Sequence, residues 1–186
     1  MRGASYLLIG VALLAPPAIG GELSGVSLPD RASVGGKALV LNGMGLRKAY
    51  GFAKVYVAGL YLEKKTASAE EILGSDTTRR IELRFVRHVS RDDIVKAWTE
   101  GFEKNAARRL GALEDRLDTL NGTMRDLEPG DVLAFSTVPD KGVLVEVGGQ
   151  PATTIPGADF ARTLLAIWLG PDPPNAALKA GLLGAR

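Results

Sequence analysis

The sequence predicts an α+β fold in which a large antiparallel sheet is covered by helices. Segments with the two-residue alternation of strands come first, and segments with helical periodicity follow. Both kinds of segment then occur once more in the same order. Of the 186 residues, 46% are hydrophobic and 24% are charged, which is typical of one globular domain with a substantial core.

Three stretches have the patterns of strands. The first, residues 38–63, is predicted to be a hairpin, and the second, residues 79–89, alternates between apolar and polar side chains. The third, residues 131–149, is predicted to be a hairpin with a tight turn over Pro139–Gly142. The turn of the first hairpin is expected at residues that tolerate positive φ, namely Asn42, Gly43 and Gly45.

Four helices are expected between and after these strands. Ser90 and Asp93 form a capping-box-like start for the first of them. Its apolar stripe contains Ile94, Trp98 and Phe102, which we assign to the core. The other helices are predicted over residues 112–120, 156–170 and 173–184.

The N-terminal segment has the pattern of a secretory signal peptide. Arg2 precedes an apolar run over residues 6–15, which is too short to span a bilayer, and small residues follow it. We therefore expect cleavage after Gly20, so that residues 1–20 are a signal peptide and residues 21–186 form a single domain. The predicted localisation is periplasmic or secreted, without stable membrane insertion after cleavage. An uncleaved anchor is the alternative.

Composition and charge argue against several classes of function. Without Arg2, 22 of the 23 basic residues remain against 21 acidic ones, and this balance predicts no nucleic-acid partner. The chain has no cysteine and a single histidine, His88, which argues against zinc sites and nucleophile–histidine pairs. We therefore predict no metal and no cofactor. An exported domain without disulfides must be stable from its core alone.

Arg47 is the candidate binding residue in the first hairpin, where it follows a glycine-rich segment. A guanidinium group is always charged and can donate two parallel hydrogen bonds to a carboxylate or another planar anion. Two interpretations are open at this point. Arg47 holds an anion in a pocket, or it is a solvated charge at the end of a strand.

Three stretches together resemble the chalcone isomerase-like family. They are LNGMGLRKAYGFAKVYVAGLYLE, IELRFVRHVSRDDIVKAWTEGF and IPGADFARTLLAIWLGPDPPNAALKAGLLG. The resemblance covers roughly residues 24–184 and suggests an exported bacterial member of the family. It implies an open-faced β-sandwich, in which helices cover one face of a large antiparallel sheet.

The family resemblance implies two kinds of function. Its enzymes cyclise chalcones, and they support a substrate phenolate with an arginine that Arg47 matches and a lysine that Lys96 matches. Tyr56 stands where the enzymes have a threonine, and Glu100 and Ala161 replace other polar groups of the enzymes. Non-catalytic members of the family include fatty-acid-binding proteins.

We therefore predict a non-catalytic protein that binds a small anionic amphiphile such as a fatty acid. The predicted ligand-binding residues are Arg47, Tyr56 and Lys96, and no catalytic residue is assigned. One alternative is an isomerase, an intramolecular lyase that acts on a phenolic or enone compound. The other is a structural protein that binds a partner without any small ligand.

Overall fold

A computed structural model describes residues 18–106 and 109–185, and it confirms the predicted α+β class. Seven antiparallel strands form one sheet whose spatial order follows the chain, and two further strands form a separate hairpin. The strands are β1 (Ile19–Leu23), β2 (Val26–Pro29), β3 (Arg31–Val34), β4 (Lys37–Ala49), β5 (Ala53–Leu62), β6 (Arg79–Phe85), β7 (Val132–Val138), β8 (Gly142–Val147) and β9 (Gln150–Ile155). The helices are α1 (Ala69–Gly74), α2 (Arg91–Ala106), α3 (Leu110–Gly122), α4 (Ala158–Leu169) and α5 (Ala176–Leu182).

The helices cover one face of the sheet and enclose the main core with it. Strands β5 to β9 and helices α1 to α5 contribute buried side chains to it. An aromatic cluster lies at its centre, where Trp98 of α2 has its ring centroid 5.6 Å from that of Trp168 and 5.8 Å from that of Phe135. The predicted helical stripe is therefore confirmed, since Ile94 and Phe102 are also buried.

The opposite face of the sheet has a smaller apolar cluster beneath the β1–β2 hairpin. Leu28 of β2 packs there with Leu41 and Tyr61 of the sheet, and the Tyr61 hydroxyl donates a hydrogen bond to the Pro29 carbonyl at 3.1 Å. Strand β1 begins at Ile19, so the cleavage point expected after Gly20 falls within this strand. Residues 1–17 of the expected signal peptide lie outside the described part of the chain.

The start of α2 confirms the predicted cap. The Asp93 backbone N–H donates to the Ser90 hydroxyl at 3.2 Å, and that hydroxyl donates to Asp93 Oδ2 at 2.9 Å. Sequence patterns did not predict β1, β2, β3, β9 or α1, which are all six residues long or shorter. Among the described residues, no helix is long and apolar enough to cross a membrane.

The turn predicted at Asn42, Gly43 and Gly45 is wrong, because β4 continues through these residues. The chain turns instead at Tyr50 and Gly51, which have φ values of 52° and 80°. Gly43 and Gly45 allow the backbones of β4 and α5 to approach each other closely. A Cβ atom at Gly43 would overlap the Gly181 carbonyl oxygen of α5, and one at Gly45 would overlap a second α5 carbonyl.

A register shift at Asn42 decides which face Arg47 occupies. Leu41 and Gly43 pair with successive residues of β5, so Asn42 is an extra residue in β4. Leu41 faces the smaller cluster, and strict alternation would place Arg47 on that same outer face. The bulge instead turns Gly43 and Arg47 toward the helices, where Arg47 pairs directly with Tyr56.

We predict that Gly43→Ala destabilises the fold, because the new methyl group meets backbone atoms of α5 that cannot move aside. Overpacking of this kind costs roughly 1–3 kcal/mol. Urea denaturation measures the free energy of unfolding. Gly111→Ala is the matched control, since a Cβ atom there meets open space and alanine favours a helix. Equal stability of Gly43→Ala and the wild type would show that α5 does not pack against β4.

Candidate functional site

A cavity of about 480 Å³ lies between the helices and the end of the β4–β5 hairpin. This volume is within the range typical of small-molecule sites. Helix α2 and the C-terminal part of α4 form one side, and residues 172–174 close another side. The apolar side chains of its wall are Val55, Phe85, Val89, Ile94, Ala97, Trp98 and Ile167.

Arg47 lines this cavity from the sheet and is half-buried. Its Nη1 atom donates to Asn175 Oδ1 at 3.2 Å, to the Pro174 carbonyl at 3.5 Å and to the Lys48 carbonyl. All three acceptors are uncharged. Within the described residues, the Nε and Nη2 atoms of Arg47 make no hydrogen bond. The segment before α5 thus holds one side of the guanidinium and leaves the other side for a ligand.

Tyr56 lies directly across the β4–β5 ladder from Arg47 and is buried at the inner end of the cavity. Its hydroxyl oxygen accepts a hydrogen bond from Trp168 Nε1 at 3.0 Å. The structure shows no acceptor for the hydroxyl proton in the part of the chain that it describes. Arg47 and Tyr56 therefore present hydrogen-bond donors to the same space.

Burial raises the pKa of Tyr56 to about 12. The hydrogen bond from Trp168 and the positive charge of Arg47 act in the opposite direction and are outweighed. The phenol is neutral at physiological pH, as an unshifted tyrosine also is, and the raised pKa extends its neutral range to higher pH. It can donate a proton in a hydrogen bond to an anion, but it is poorly suited to act as a base.

Trp98 forms part of the cavity wall as well as part of the core. Its indole Nε1 is buried and has no hydrogen-bond partner among residues 18–106 and 109–185. The helical stripe on α2 predicted only the core role. Its ring packs against Phe135 and Trp168, and it also borders the cavity. A periodic pattern predicts burial, but it cannot distinguish a core side chain from one in a cavity wall.

Lys96 is not brought together with the other two predicted residues. Its side chain is 75% exposed on α2 and its Nζ atom lies 4.0 Å from Glu100 Oε1, whereas Lys96 is absent from the cavity wall. Its role in ligand binding stays a prediction that this geometry does not favour. Lys104, about two turns further along α2, is the α2 lysine that does line the cavity.

The outer part of the cavity has charged residues of both signs. Arg87, His88 and Lys104 are exposed there, and the imidazole Nδ1 of His88 lies 2.8 Å from Glu128 Oε1. The acidic residues of the lining are Asp93, Glu100 and Asp172. In the described part of the chain, no group of three potential metal ligands is found.

The chain belongs to the chalcone isomerase-like family, because the family model with that description matches residues 20–184. A fatty-acid binding protein of Arabidopsis thaliana has a similar solved structure, with a TM-score of 0.66 and 17% sequence identity. The match covers 86% of this chain and 92% of the plant protein. It shows that the two proteins share a fold and confirms the predicted one. No curated protein sequence matches the chain.

We predict that the stability of the protein falls between pH 10 and 12 partly because of Tyr56. Its folded-state pKa of about 12 exceeds the unfolded value near 10, so the unfolded state loses its proton first and is favoured as the pH rises. The full contribution, on the order of 2–3 kcal/mol, is present below pH 10.

Urea denaturation of the wild type and Tyr56→Phe at pH 9 and pH 11 tests this contribution. The loss of stability between the two pH values should be smaller in the variant. It should not vanish, since burial also raises the pKa of Tyr61. Identical losses in the two proteins would contradict the raised pKa of Tyr56.

Proposed function

We propose that the protein binds a small amphiphile with a single anionic head group, such as a fatty acid, without catalysing a reaction on it. The observation that supports this most strongly is the pairing of Arg47 with Tyr56 at an apolar cavity. Arg47 is a half-buried cation whose hydrogen-bond acceptors are all uncharged. An anion beside it would therefore stabilise its charge.

The two donors suit a carboxylate in particular. The free side of the Arg47 guanidinium can contact both oxygens of a carboxylate, and the Tyr56 hydroxyl adds a donor at a different angle. The Tyr56 phenol is protonated over the physiological range, so this donor is available to the ligand. An alcohol or an amide head group would contribute less binding free energy per hydrogen bond at this site. Hydrogen bonds to charged groups are stronger than those between neutral groups.

The acyl chain of the ligand would lie against Trp98, Ile94 and Ile167. Each buried methylene contributes about 0.8 kcal/mol, which corresponds to roughly fourfold in affinity. Affinity should therefore rise with chain length until the cavity of about 480 Å³ is filled. The fold shared with a plant fatty-acid binding protein is consistent with this proposal.

Export is a further part of the proposal. It rests on the short apolar run and the small residues within positions 1–20. A protein in the periplasm or outside the cell could sequester or carry free fatty acids there. The proposed bacterial origin rests on the family resemblance and on the absence of cysteine from an exported chain.

An isomerase is the second candidate, and the neutral Tyr56 hydroxyl beside Arg47 favours it. Together these groups could stabilise the oxyanion of a phenolic ketone. Glu100 lines the same cavity and would oppose a second negative charge there. We therefore expect chalcone, followed by its absorbance, to disappear no faster than in buffer. A faster rate that Arg47→Ala abolishes would establish the enzyme instead.

We predict that Arg47→Ala weakens the binding of long-chain fatty acids while the fold is retained. Loss of a charge-assisted contact costs roughly 1.5–3 kcal/mol, or about 10- to 150-fold in affinity. Arg47→Lys should restore only part of this, because an ammonium group cannot contact both carboxylate oxygens in parallel. Titration calorimetry measures the affinities, and thermal melts monitor the fold.

Lys48→Ala is the matched control for Arg47→Ala. Lys48 is the neighbouring cation on β4, but its side chain is exposed and does not line the cavity. Its replacement should leave fatty-acid affinity within about twofold of the wild type, as expected for a surface charge. Equal affinities of Arg47→Ala and the wild type would refute the proposed site. Absence of acid binding to the wild type would favour the partner-binding alternative.

A further inference from the structure

A second cavity, of about 380 Å³, lies at the opposite end of α4 from the Arg47 site. Ala158 and Arg162, in the first half of α4, line the second cavity, whereas Ile167, near the end of α4, lines the Arg47 site. The second cavity is bounded by the end of α1, the start of β6, the β7–β8 turn and the start of α4. Its polar lining residues are Ser75, Asp76, Arg79, Thr137, Asp140 and Arg162.

Arg79 is a buried cation that forms no ion pair within the described residues. Its residue is only 4% exposed, and its Nη1 atom donates to the carbonyls of Ile72 and Ser75 and to the Ser75 hydroxyl. Its Nε atom is buried and has no acceptor in the described part of the chain. A buried charge that lacks a counter-charge is costly to the fold. The uncharged acceptors at the end of α1 offset only part of this cost.

A second cation, Arg162 of α4, shares the cavity with Arg79. Burial is the main cause that lowers the pKa of Arg79, and the charge of Arg162 lowers it further, while Asp76 opposes both effects. Two guanidinium groups that repel one another at one cavity are both stabilised by an anion between them. Asp76 and Asp140 also line the cavity and oppose an anion there, but both are exposed, as Arg162 is, so water screens their charges more than that of the buried Arg79.

The N-terminus of α4 also borders the cavity. Its N-cap is Gly157, which has a φ of 107° and no side chain to accept the first amide hydrogen bonds. Gly157 and Ala158 both line the cavity. Asp159 does not line the cavity, but its carboxylate accepts a hydrogen bond from the Phe160 backbone N–H and forms an ion pair with Arg116 at 2.7 Å. This carboxylate balances part of the positive end of the helix dipole, so the two arginines are the main source of positive potential at the cavity.

We propose that this cavity binds the phosphate group of a small ligand. Two guanidinium groups and the Thr137 hydroxyl line the cavity, whereas the Ser75 hydroxyl already donates to the Ile72 carbonyl. Such a set of donors suits the three terminal oxygens of a phosphate better than the two of a carboxylate. The site shares no lining residue with the Arg47 cavity, so it is independent of fatty-acid binding.

The ligand is inorganic phosphate or a small phosphate monoester, and titration of the mature protein distinguishes them. Inorganic phosphate and glycerol 3-phosphate are each titrated in a calorimeter, with sodium chloride at equal ionic strength as the reference. We expect saturable binding of at least one of them and a matching rise in melting temperature. If chloride reproduces every effect of both phosphates, the proposal is overturned.

Arg162→Gln is the principal variant, because Arg162 is exposed and its loss should leave the fold intact. It should weaken phosphate binding roughly 10-fold. Arg31→Gln removes the same charge from an exposed residue of β3 that does not line the cavity and should bind as the wild type does.

Arg79→Lys keeps the buried charge without the planar guanidinium and should also weaken phosphate binding. If this variant does not fold, Arg162→Gln still decides the question. Equal affinities of Arg162→Gln and Arg31→Gln would contradict the proposed site.

Discussion

The side chain of Asn42 holds together three parts of the chain on which the cavity depends. Its amide donates to the Leu182 carbonyl at the end of α5 at 2.8 Å and accepts from the Thr66 backbone N–H at 2.9 Å. Because this buried residue is the extra one in β4, it also sets the face on which Arg47 lies. Without the bulge, the guanidinium would face away from the helices and the cavity would lack its cation.

The electrostatics of the Arg47 cavity follow from burial more than from net charge. The chain is close to neutral overall, and both signs occur among the exposed residues at the outer part of the cavity. At the inner end, Arg47 lies beside the neutral phenol of Tyr56, whose pKa is raised by burial. A cation and a neutral donor at one end of an apolar cavity favour a ligand with one anionic head and an apolar tail.

Periodicity was sufficient to predict strands β4 to β8, the main helices and the buried face of α2. It failed at the β4–β5 turn, because glycines that permit close backbone contact with α5 have the same sequence signature as turn glycines. The resemblance to a family pointed to Arg47 and Tyr56, but the orientation of Lys96 depends on how α2 packs. The cavity at Arg79 could not be predicted, since its two arginines are distant in sequence and meet only through tertiary structure.

A crystal structure of the protein with a bound long-chain fatty acid would test the account most directly. We predict that the carboxylate accepts hydrogen bonds from the free side of the Arg47 guanidinium and from the Tyr56 hydroxyl, at about 2.7–3.0 Å. The acyl chain should then lie along Trp98. A fatty acid bound elsewhere, with the Arg47 guanidinium contacting only solvent and residues before α5, would contradict the proposed function.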